Sequence, residues 1–532
     1  MIVTIVTYGL RFWLLRVREF DPDEFEHLHG VWCISQGFLP YRDYFEHHTP
    51  WFHLCVAPFL HFFTVSNNAN DAVSFLFFAR TLMCLFAAFI LLCTFWLGKV
   101  WKNTYVGLVG VVFISLTLMF LEKTLEVRPD LLSTGFWIAS LVATMEAVRS
   151  GTGMSRKTSL LFALSGLLLG SSIMCSQKIL MALPSFTVAM LWYWFDARSH
   201  ATVGRRFTNL LWQLTGLCVP FLITSAYFLA NNGLSQFIEY NFLLNFKLHI
   251  PYTPTNYLPR LVRQNPLIVA MAVMGFAQAF VLMFRRDEFR RGGYVLVLNF
   301  LGTLAMVFVI PLPNRQYFLI FLPLGAVLAA SFFIDLVQRA PSLVSWCARK
   351  GPRPETCTFV SILFFLAVLI YTVSSAKPHM RYLVLWGVAS ATALVLFLFQ
   401  LRYWASAILI LALSVYPLVQ MRKSAETTNK ETLRQLRYVI ENTSPTDVCM
   451  DGWTGLGVFR PHAFFFYFPH ADLRASIPDS MKNEFVSNLR SSRITPKLVF
   501  FDDQVRLLSP EIAAFVEEHY VPVGLGLIWR RK

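Results

Sequence analysis

Apolar runs of roughly 17 to 25 residues recur along most of the chain and are separated by short polar segments. A helix of that length crosses the hydrocarbon core of a bilayer. The pattern predicts about thirteen transmembrane helices, near residues 1–17, 72–98, 104–121, 131–148, 158–175, 179–195, 208–230, 266–284, 293–310, 316–337, 358–375, 382–399 and 403–420. The first run lacks a small-residue cleavage site, so we expect it to stay as an anchor.

The pattern changes near residue 422. Residues 1–421 hold 49 charged side chains, and the 111 residues 422–532 hold 28, so the density roughly doubles. Within this second region the periodicity predicts a helix over Lys430–Asn442, strands over Lys497–Phe501 and Val521–Trp529, and a helix that starts at Ser509-Pro510-Glu511. We therefore predict a polytopic all-α membrane part, residues 1–421, followed by a small α/β domain, residues 422–532.

Composition supports a membrane protein. The 532 residues are 56% hydrophobic and 14% charged, against about 25% charged in ordinary soluble proteins. This excludes disordered, coiled-coil, collagen-like and generic cytosolic chains. The nine cysteines show no spacing typical of a zinc site, and no metal ligand is assigned.

The net charge of +15 reflects topology. With the N-terminus in the cytoplasm, 17 of the 31 basic residues of the membrane part fall in alternate, cytoplasmic loops. The outer loops 18–70 and 232–265 and the C-terminal domain then lie outside the inner or plasma membrane. A nucleic-acid partner is not needed to explain the charge.

The acidic residues carry more information. Seven of the 18 acids of the membrane part lie between Glu19 and Glu46, next to several histidines. Pro22 suits a helix start just before Asp23, so residues 23–36 are predicted to form a short helix at the membrane surface.

Three segments of this chain resemble a known enzyme family. Asp23-Glu24, Gly37, Pro40-Tyr41-Arg42-Asp43 and His47-His48-Thr49-Pro50 are similar to the first outer loop of the GT-C membrane glycosyltransferases. The nearest group resembles the bacterial relatives of protein O-mannosyltransferases and of the lipid A aminoarabinose transferase (glycosyltransferase family 39-like). Glu126-Val127-Arg128-Pro129-Asp130 and Pro313-Asn314-Arg315-Gln316-Tyr317-Phe318 resemble two further segments of that family.

The resemblance implies a GT-C architecture and transfer of a sugar from a polyprenyl-phosphate donor to an acceptor hydroxyl outside the cytoplasm. The acceptor is a glycan, a lipid or a protein. A carboxylate takes the hydroxyl proton, and cations stabilise the phosphate leaving group. By this analogy Asp23 is the general base, and Glu24 and Asp130 are further catalytic candidates. The candidate phosphate or sugar contacts are Arg42, Asp43, His47, His48, Arg128, Lys178, Arg260, Arg263 and Arg315.

One position departs from the family pattern. Some relatives carry Lys in a His-Lys-Pro-Pro stretch where this chain has His47-His48-Thr49-Pro50. If His48 binds phosphate as an imidazolium, binding would depend on pH. The histidines of this loop do not form a recognised zinc motif. No cofactor is required by the pattern, and a divalent metal remains compatible with it.

Simpler interpretations stay open for several residues. Asp130 could cap the following helix, and Lys178 could lie at a short outer turn. The rival functions for the whole chain are a transporter or flippase of lipid-linked saccharides, or a polymerase of them. A transporter is expected to place polar residues or helix breaks at mid-membrane, whereas this chain concentrates its acids in one outer loop.

Overall fold

A computed structural model describes residues 2–150, 156–195, 202–244, 257–284, 292–309, 314–350, 380–398 and 402–532. The membrane part is helical. Its α-helices are Ile2–Val17, Pro22–Ser35, Trp51–Val56, Ala69–Trp101, Thr104–Leu116, Leu118–Lys123, Pro129–Arg149, Arg156–Cys175, Leu183–Phe195, Val203–Ala230, Leu234–Ile238, Leu258–Gln264, Pro266–Leu282, Gly293–Met306, Leu322–Lys350, Met380–Leu398 and Arg402–Ser424. Short 3₁₀ segments cover Ala57–Phe62, Gln177–Ala182 and Arg315–Ile320, and a π-helical turn covers Glu239–Leu243.

Each predicted apolar run within the described residues coincides with helical structure. The run 358–375 lies outside the described residues, as do Pro313 and residues 245–256 of the second outer loop. Among the described residues, 6 helices are long and apolar enough to cross a membrane, or 7 if one pair bent by 108° counts as a single span. Several other apolar helices are shorter, and the run 104–121 is broken at Thr117. The number thirteen therefore stays a prediction.

Small residues bring neighbouring helices into backbone contact. A Cβ atom added to Gly166 would collide with the carbonyl oxygen of Gln213, and one added to Gly216 would collide with that of Ala163. Ser133 Oγ donates a hydrogen bond of 2.9 Å to the carbonyl of Ser172 on the next helix. Such close approaches are how helices associate in lipid, where apolar burial alone gives little driving force.

The predicted helix of the first outer loop spans Pro22–Ser35. Its N-terminus is a capping box: the side chain of Asp21 accepts the N–H of Asp23 at 3.1 Å, and Glu24 Oε1 accepts the N–H of Asp21 at 2.9 Å. Pro22 stands in the first turn, where its missing N–H costs nothing. The helix is buried on nearly all sides, because the rest of the first outer loop, the helix Ala69–Trp101 and the C-terminal domain all pack against it.

The C-terminal domain contains a four-stranded sheet with the order β1-β2-β4-β3. β1 (Cys449–Asp451) pairs in parallel with β2 (Leu498–Phe500), and β4 (Ile528–Arg531) is antiparallel to both β2 and β3 (Tyr520–Pro522). Helices pack around it over Lys430–Asn442, Ala471–Arg474, Asp479–Arg490, Asp503–Arg506 and Pro510–His519.

The helix Lys430–Asn442 and the strand β2 match the sequence predictions. The helix predicted to start at Ser509 spans Pro510–His519, and Ser509 caps it by accepting the N–H of Ile512 at 3.2 Å. The single strand predicted over Val521–Trp529 is wrong. The structure has two short strands there, β3 and β4, because Gly524 and Gly526 adopt positive φ angles of 79° and 57° and turn the chain back.

The C-terminal domain is docked on the first outer loop. His29 Nδ1 lies 3.0 Å from the carbonyl oxygen of Val458, and its ring stacks on Tyr467 with centroids 3.7 Å apart. The buried Arg460 donates hydrogen bonds to the carbonyls of Ser66 at 3.0 Å and Ile440 at 3.2 Å. The loop and the domain therefore lie on the same side of the helices.

Candidate active site

A cavity of about 630 Å³ lies between the first outer loop, the ends of apolar helices and the C-terminal domain. Its lining is dominated by charged and polar side chains. The residues are Asp21, Pro22, Asp23, Glu26, His27, His47, His48, Lys123, Arg128, Lys178, Tyr257, Asn314, Arg315, Gln316, Tyr317, Trp453, His470, Ala471 and Gln504. This arrangement brings together six of the candidates that the sequence indicates: Asp23, His47, His48, Arg128, Lys178 and Arg315.

Asp23 is held in the cavity by Arg128. Arg128 Nη1 lies 2.7 Å from Asp23 Oδ2, its Nη2 lies 3.1 Å from Asp21 Oδ1, and its Nε lies 2.6 Å from Glu126 Oε2. The side chain of Asp23 is 23% exposed, against 4% for Arg128. The guanidinium thus fixes the acid while one edge of the carboxylate faces the cavity.

Three carboxylates surround Arg128. Burial alone would lower the pKa of its guanidinium, but Asp23, Glu126 and Asp21 together raise that pKa well above its ordinary value. Glu126 also pairs with Lys123 Nζ at 2.6 Å and with Arg18 Nη2 at 2.9 Å, so its carboxylate is held by three cations. The sequence predicts Arg128 as a phosphate contact; in the structure it lines the cavity and its guanidinium holds Asp23.

Glu24 faces away from the cavity. It is fully buried, and its two oxygens accept hydrogen bonds from Arg80 Nε at 2.8 Å and Nη2 at 2.6 Å. Glu24 Oε2 also accepts the N–H of Val127 at 3.2 Å. Glu24 therefore joins the first outer loop to the helix Ala69–Trp101 and to the segment that carries Arg128.

Lys178 and Asp130 form a second charged pair. Lys178 Nζ lies 3.4 Å from Asp130 Oδ1 and 4.2 Å from the centre of the Tyr317 ring. Asp130 is 3% exposed and does not line the cavity, whereas Lys178 does. Asp130 thus has no surface in the cavity, and it orients Lys178, which does.

His47 and His48 line the cavity near Glu46. His48 Nδ1 lies 3.0 Å from Glu46 Oε1. Burial, followed by the neighbouring His47, lowers the pKa of His48 well below its ordinary value, and burial lowers that of His47 to about 4. Both imidazoles are therefore neutral at pH 7, which does not support an imidazolium at His48 as the phosphate contact.

Four of the other candidates do not line the cavity, and Arg315 does. Arg42 pairs with Asp43 at 2.7 Å on the protein surface, and neither residue lines the cavity. Arg260 and Arg263 follow Tyr257, which lines the cavity, but their own side chains do not. Arg315 does line it and lies 3.7 Å from Glu122 Oε2.

Sequence reasoning assigned no site residue in the C-terminal domain, yet Trp453, His470 and Gln504 close one side of the cavity. A Trp in a turn after a strand was the available signal, since an aromatic side chain is a common contact for sugars and other ligands. These three residues therefore line the same cavity as Asp23.

The fold is that of GT-C glycosyltransferases. ArnT from Cupriavidus metallidurans bound to undecaprenyl phosphate aligns with a TM-score of 0.63 and 12% identity, over 99% of this chain and 96% of that chain. The oligosaccharyltransferase of Archaeoglobus fulgidus in the apo form aligns with a TM-score of 0.57 and 11% identity, over 97% of this chain and 72% of that chain.

A structure of the same archaeal enzyme, AglB, with an inhibitory peptide and a dolichol-phosphate aligns with a TM-score of 0.51 and 10% identity, over 100% of this chain and 74% of that chain. No protein-family model and no curated protein sequence matches this chain. The similarity is therefore one of fold at low sequence identity.

Proposed function

We propose that this protein is an integral membrane glycosyltransferase that moves a sugar from a polyprenyl-phosphate donor to an acceptor hydroxyl on the non-cytoplasmic face. One observation carries the proposal: a partly exposed Asp23 carboxylate, fixed by Arg128, faces a cavity that also holds Lys178 and Arg315. A base and phosphate-binding cations in one cavity are what such a transfer needs.

The position of the cavity suits a lipid-linked donor. Pro129–Arg149 begins directly after Arg128, and Lys178 lies in the first turn of the apolar segment Gln177–Phe195. The charged groups therefore lie at the ends of apolar helices, where a phosphate would meet them while its polyprenyl tail stays in lipid. The solved structures with undecaprenyl phosphate and dolichol-phosphate share this fold.

The chemistry follows from this placement. The acceptor oxygen attacks the anomeric carbon of the donor sugar and loses its proton to a carboxylate oxygen of Asp23. The bond between that carbon and the phosphate oxygen breaks, and polyprenyl phosphate leaves with the electron pair. Lys178 and Arg315 stabilise the charge that develops on the phosphate, because charge-assisted hydrogen bonds are strongest in a site that excludes water.

Arg128 and Asp130 act as positioning residues in this scheme. Arg128 contacts three carboxylates, one of them that of Asp23, so its charge is already compensated by neighbouring acids. Asp130 orients Lys178. The acceptor, a hydroxyl of a glycan, lipid or protein, would bind on the side of the cavity that Trp453, His470 and Gln504 line.

A transporter or polymerase of lipid-linked saccharides is the rival function. In the described residues the cavity lies beside the docked C-terminal domain, on one side of the helices, rather than at mid-membrane between repeats. That placement favours chemistry at a surface over alternating access.

The test is transfer by purified protein in detergent, supplied with radiolabelled polyprenyl-phosphate sugars. Asp23→Asn should lower turnover by about 10²-fold or more without reducing the folded yield. Asp479→Asn is the matched control, because the side chain of Asp479 is 89% exposed in the C-terminal domain. Full transfer by Asp23→Asn would refute the base assignment. Passage of lipid-linked sugar across liposomes without consumption of any donor would establish the transporter instead.

A further inference from the structure

The part of the cavity wall that the C-terminal domain forms differs in charge from the rest. It consists of Trp453, His470, Ala471 and Gln504, and none of these is an acid, a lysine or an arginine. All the acids, lysines and arginines of the lining belong to the membrane part. A phosphate needs cations, so its place is beside the membrane part, and the wall of the C-terminal domain suits an uncharged group.

Two aromatic rings form a corner in this wall. The ring of Trp453 is partly exposed, and the ring of His470 stands at 76° to it with the centroids 5.2 Å apart. Behind them lies the fully buried Phe468, whose ring centre is 5.1 Å from that of Trp453. The flat face of an indole packs well against the C–H groups of a sugar ring, and its N–H can serve a hydroxyl.

The corner also holds hydrogen-bond donors that the protein does not use. Within the described part of the chain, Trp453 Nε1 and Gln504 Nε2 make no hydrogen bond. The other end of the Gln504 amide is fixed, because its Oε1 accepts a hydrogen bond of 2.6 Å from Arg474 Nη1. Aromatic faces with a few placed polar groups are typical of sites for small uncharged ligands.

One buried carboxylate holds both of these residues in place. Asp502 Oδ2 accepts the N–H of Trp453 at 2.6 Å, and Asp502 Oδ1 accepts the N–H of Val505 at 2.9 Å. Asp502 thereby joins the turn that carries Trp453 to the short helix that carries Gln504. A Cβ atom added to Gly452 would collide with this carboxylate, so the glycine permits the close approach.

The backbone at Phe468 adds an independent sign. Its φ angle is 61°, in the left-handed region, and its carbonyl accepts the N–H of His470 at 2.7 Å. A residue with a large side chain adopts this conformation at a cost, and such residues cluster at sites that bind ligands. Here the turn brings His470 to the cavity beside Trp453.

The corner lies against the helix of the proposed base. Gly455, at the end of the Trp453 turn, has a φ angle of 75°, and a Cβ atom added to it would collide with the side chain of Phe25. Phe25 follows Asp23 by two residues in the helix Pro22–Ser35. The turn of Trp453 therefore packs on the helix that carries Asp23, as a site for the attacking hydroxyl requires.

We propose that Trp453, His470 and Gln504 bind a saccharide ring, with the ring's C–H face on Trp453, and that the acceptor of the transfer is a glycan. The place of this ring in transfer rests on the proposed function, whereas the binding of a sugar does not. The donor carries a sugar of the same chemistry, and kinetics separate the two sources.

The test measures sugar binding without any donor. Full-length protein is reconstituted in lipid nanodiscs, because many detergents carry sugar head groups. It is mixed with methyl glycosides of glucose, galactose, mannose, N-acetylglucosamine and xylose at millimolar concentration. Saturation-transfer NMR should show that at least one glycoside binds, with the strongest saturation on the C–H protons of one ring face. Trp453→Leu should weaken this binding about 10-fold, because it removes the aromatic face and keeps apolar bulk. Trp453→Phe should retain most of it.

Trp529→Leu is the matched control. It makes the same substitution in the same domain, at a partly buried Trp that packs on Phe501 and does not line the cavity, and binding should be unchanged. If Trp453→Leu fails to give a monodisperse protein, Gln504→Met decides the question: it keeps the shape, removes the amide and should weaken binding about 3-fold or more. The proposal is overturned if no glycoside binds the wild type, or if the folded variants at Trp453 and Gln504 bind as tightly as the wild type.

Transfer identifies the source of the ring. The glycoside that binds best is supplied as the acceptor, with radiolabelled polyprenyl-phosphate sugars as donors. Trp453→Leu should lower kcat/KM for the glycoside about 10-fold and leave kcat/KM for the donor, measured at saturating acceptor, unchanged. A loss confined to the donor would overturn the acceptor assignment, because the ring on Trp453 would then be that of the donor.

Binding and transfer are scored separately. Glycoside binding that depends on Trp453, in a protein that transfers no sugar, would support this site and contradict the proposed function. Transfer to a peptide or lipid hydroxyl at a rate that Trp453→Leu leaves unchanged would support the function and contradict the site.

Discussion

Replacing Glu24 with Gln should destabilise the protein, although the neighbouring Asp23 is the residue that faces the cavity. The buried Glu24 accepts two hydrogen bonds from Arg80, at 2.8 Å and 2.6 Å, and Arg80 itself is 1% exposed. Arg80 also donates to the carbonyls of Leu15 and Arg18, at 2.9 Å and 2.8 Å. Without Glu24 the guanidinium keeps these carbonyls but loses its counter-charge.

The cost can be put on a temperature scale. Removing one partner of a buried ion pair costs about 3 to 5 kcal/mol, because the other charge is left uncompensated. With an unfolding entropy of about 2.1 cal/mol/K per residue over 532 residues, this corresponds to a fall in apparent Tm of about 3 to 5 °C. Helices that stay folded in detergent make the unfolding unit smaller and the fall larger.

The assay is thermal unfolding of the purified protein in detergent, followed by intrinsic fluorescence, with transfer measured on the same samples. Asp23→Asn is the matched control: it makes the same chemical change one residue away, at a side chain that is 23% exposed. We expect its Tm to stay near that of the wild type while transfer is lost. The double variant Glu24→Leu, Arg80→Met should recover part of the stability, since two apolar side chains can replace a buried pair.

The reasoning would be refuted by the reverse result. If Glu24→Gln had the Tm of the wild type and lost transfer as completely as Asp23→Asn, Glu24 would have to contact the reacting groups. A Tm that fell equally in both variants would show that Asp23 is structural as well.

Three further predictions concern other groups. Arg128→Lys should lower kcat about 10-fold or more with a smaller effect on KM, because a single ammonium cannot hold three carboxylates as a guanidinium does; steady-state kinetics with the labelled donor separate the two parameters. Lys178→Met should lower kcat/KM for the polyprenyl-phosphate donor about 10-fold, whereas Arg42→Met, at a surface pair, should not. Burial and then the charge of Asp451 raise the pKa of Asp502 to about 6, from an ordinary value near 3.9. Asp502 therefore loses its stabilising protonated form as pH rises from about 4 to about 6, and Asp502→Asn should gain in Tm relative to the wild type over that window; equal Tm profiles would contradict it.

Much of the membrane part could be predicted from local patterns. An apolar run long enough to cross a bilayer predicts a helix. In lipid, an α-helix is the only single segment that pairs its backbone N–H and C=O groups within itself. Pro22 and Asp21 predict the start of the first-loop helix, which begins at Pro22. The resemblance in the first outer loop predicted Asp23, which the structure places in the cavity.

The sequence could not predict which distant residues meet. Arg80 lies 56 positions from Glu24, so its partner could not be read from local spacing. Trp453 and His470 reach the cavity only because the C-terminal domain docks on the first outer loop, and that contact depends on packing. Arg42 shows the converse: it is near Asp23 in the chain, yet it lies on the surface.

The different fates of Asp23 and Glu24 follow from helical geometry. Consecutive residues of an α-helix point about 100° apart, so Asp23 and Glu24 leave the helix Pro22–Ser35 in different directions. Asp23 faces the open side and is held by Arg128, whereas Glu24 faces the helices and is held by Arg80. Glu24 also accepts the N–H of Val127, the residue before Arg128. Glu24 thus helps to position Arg128, and Arg128 positions Asp23. One turn of helix therefore couples the stability of the loop to the geometry of the proposed base.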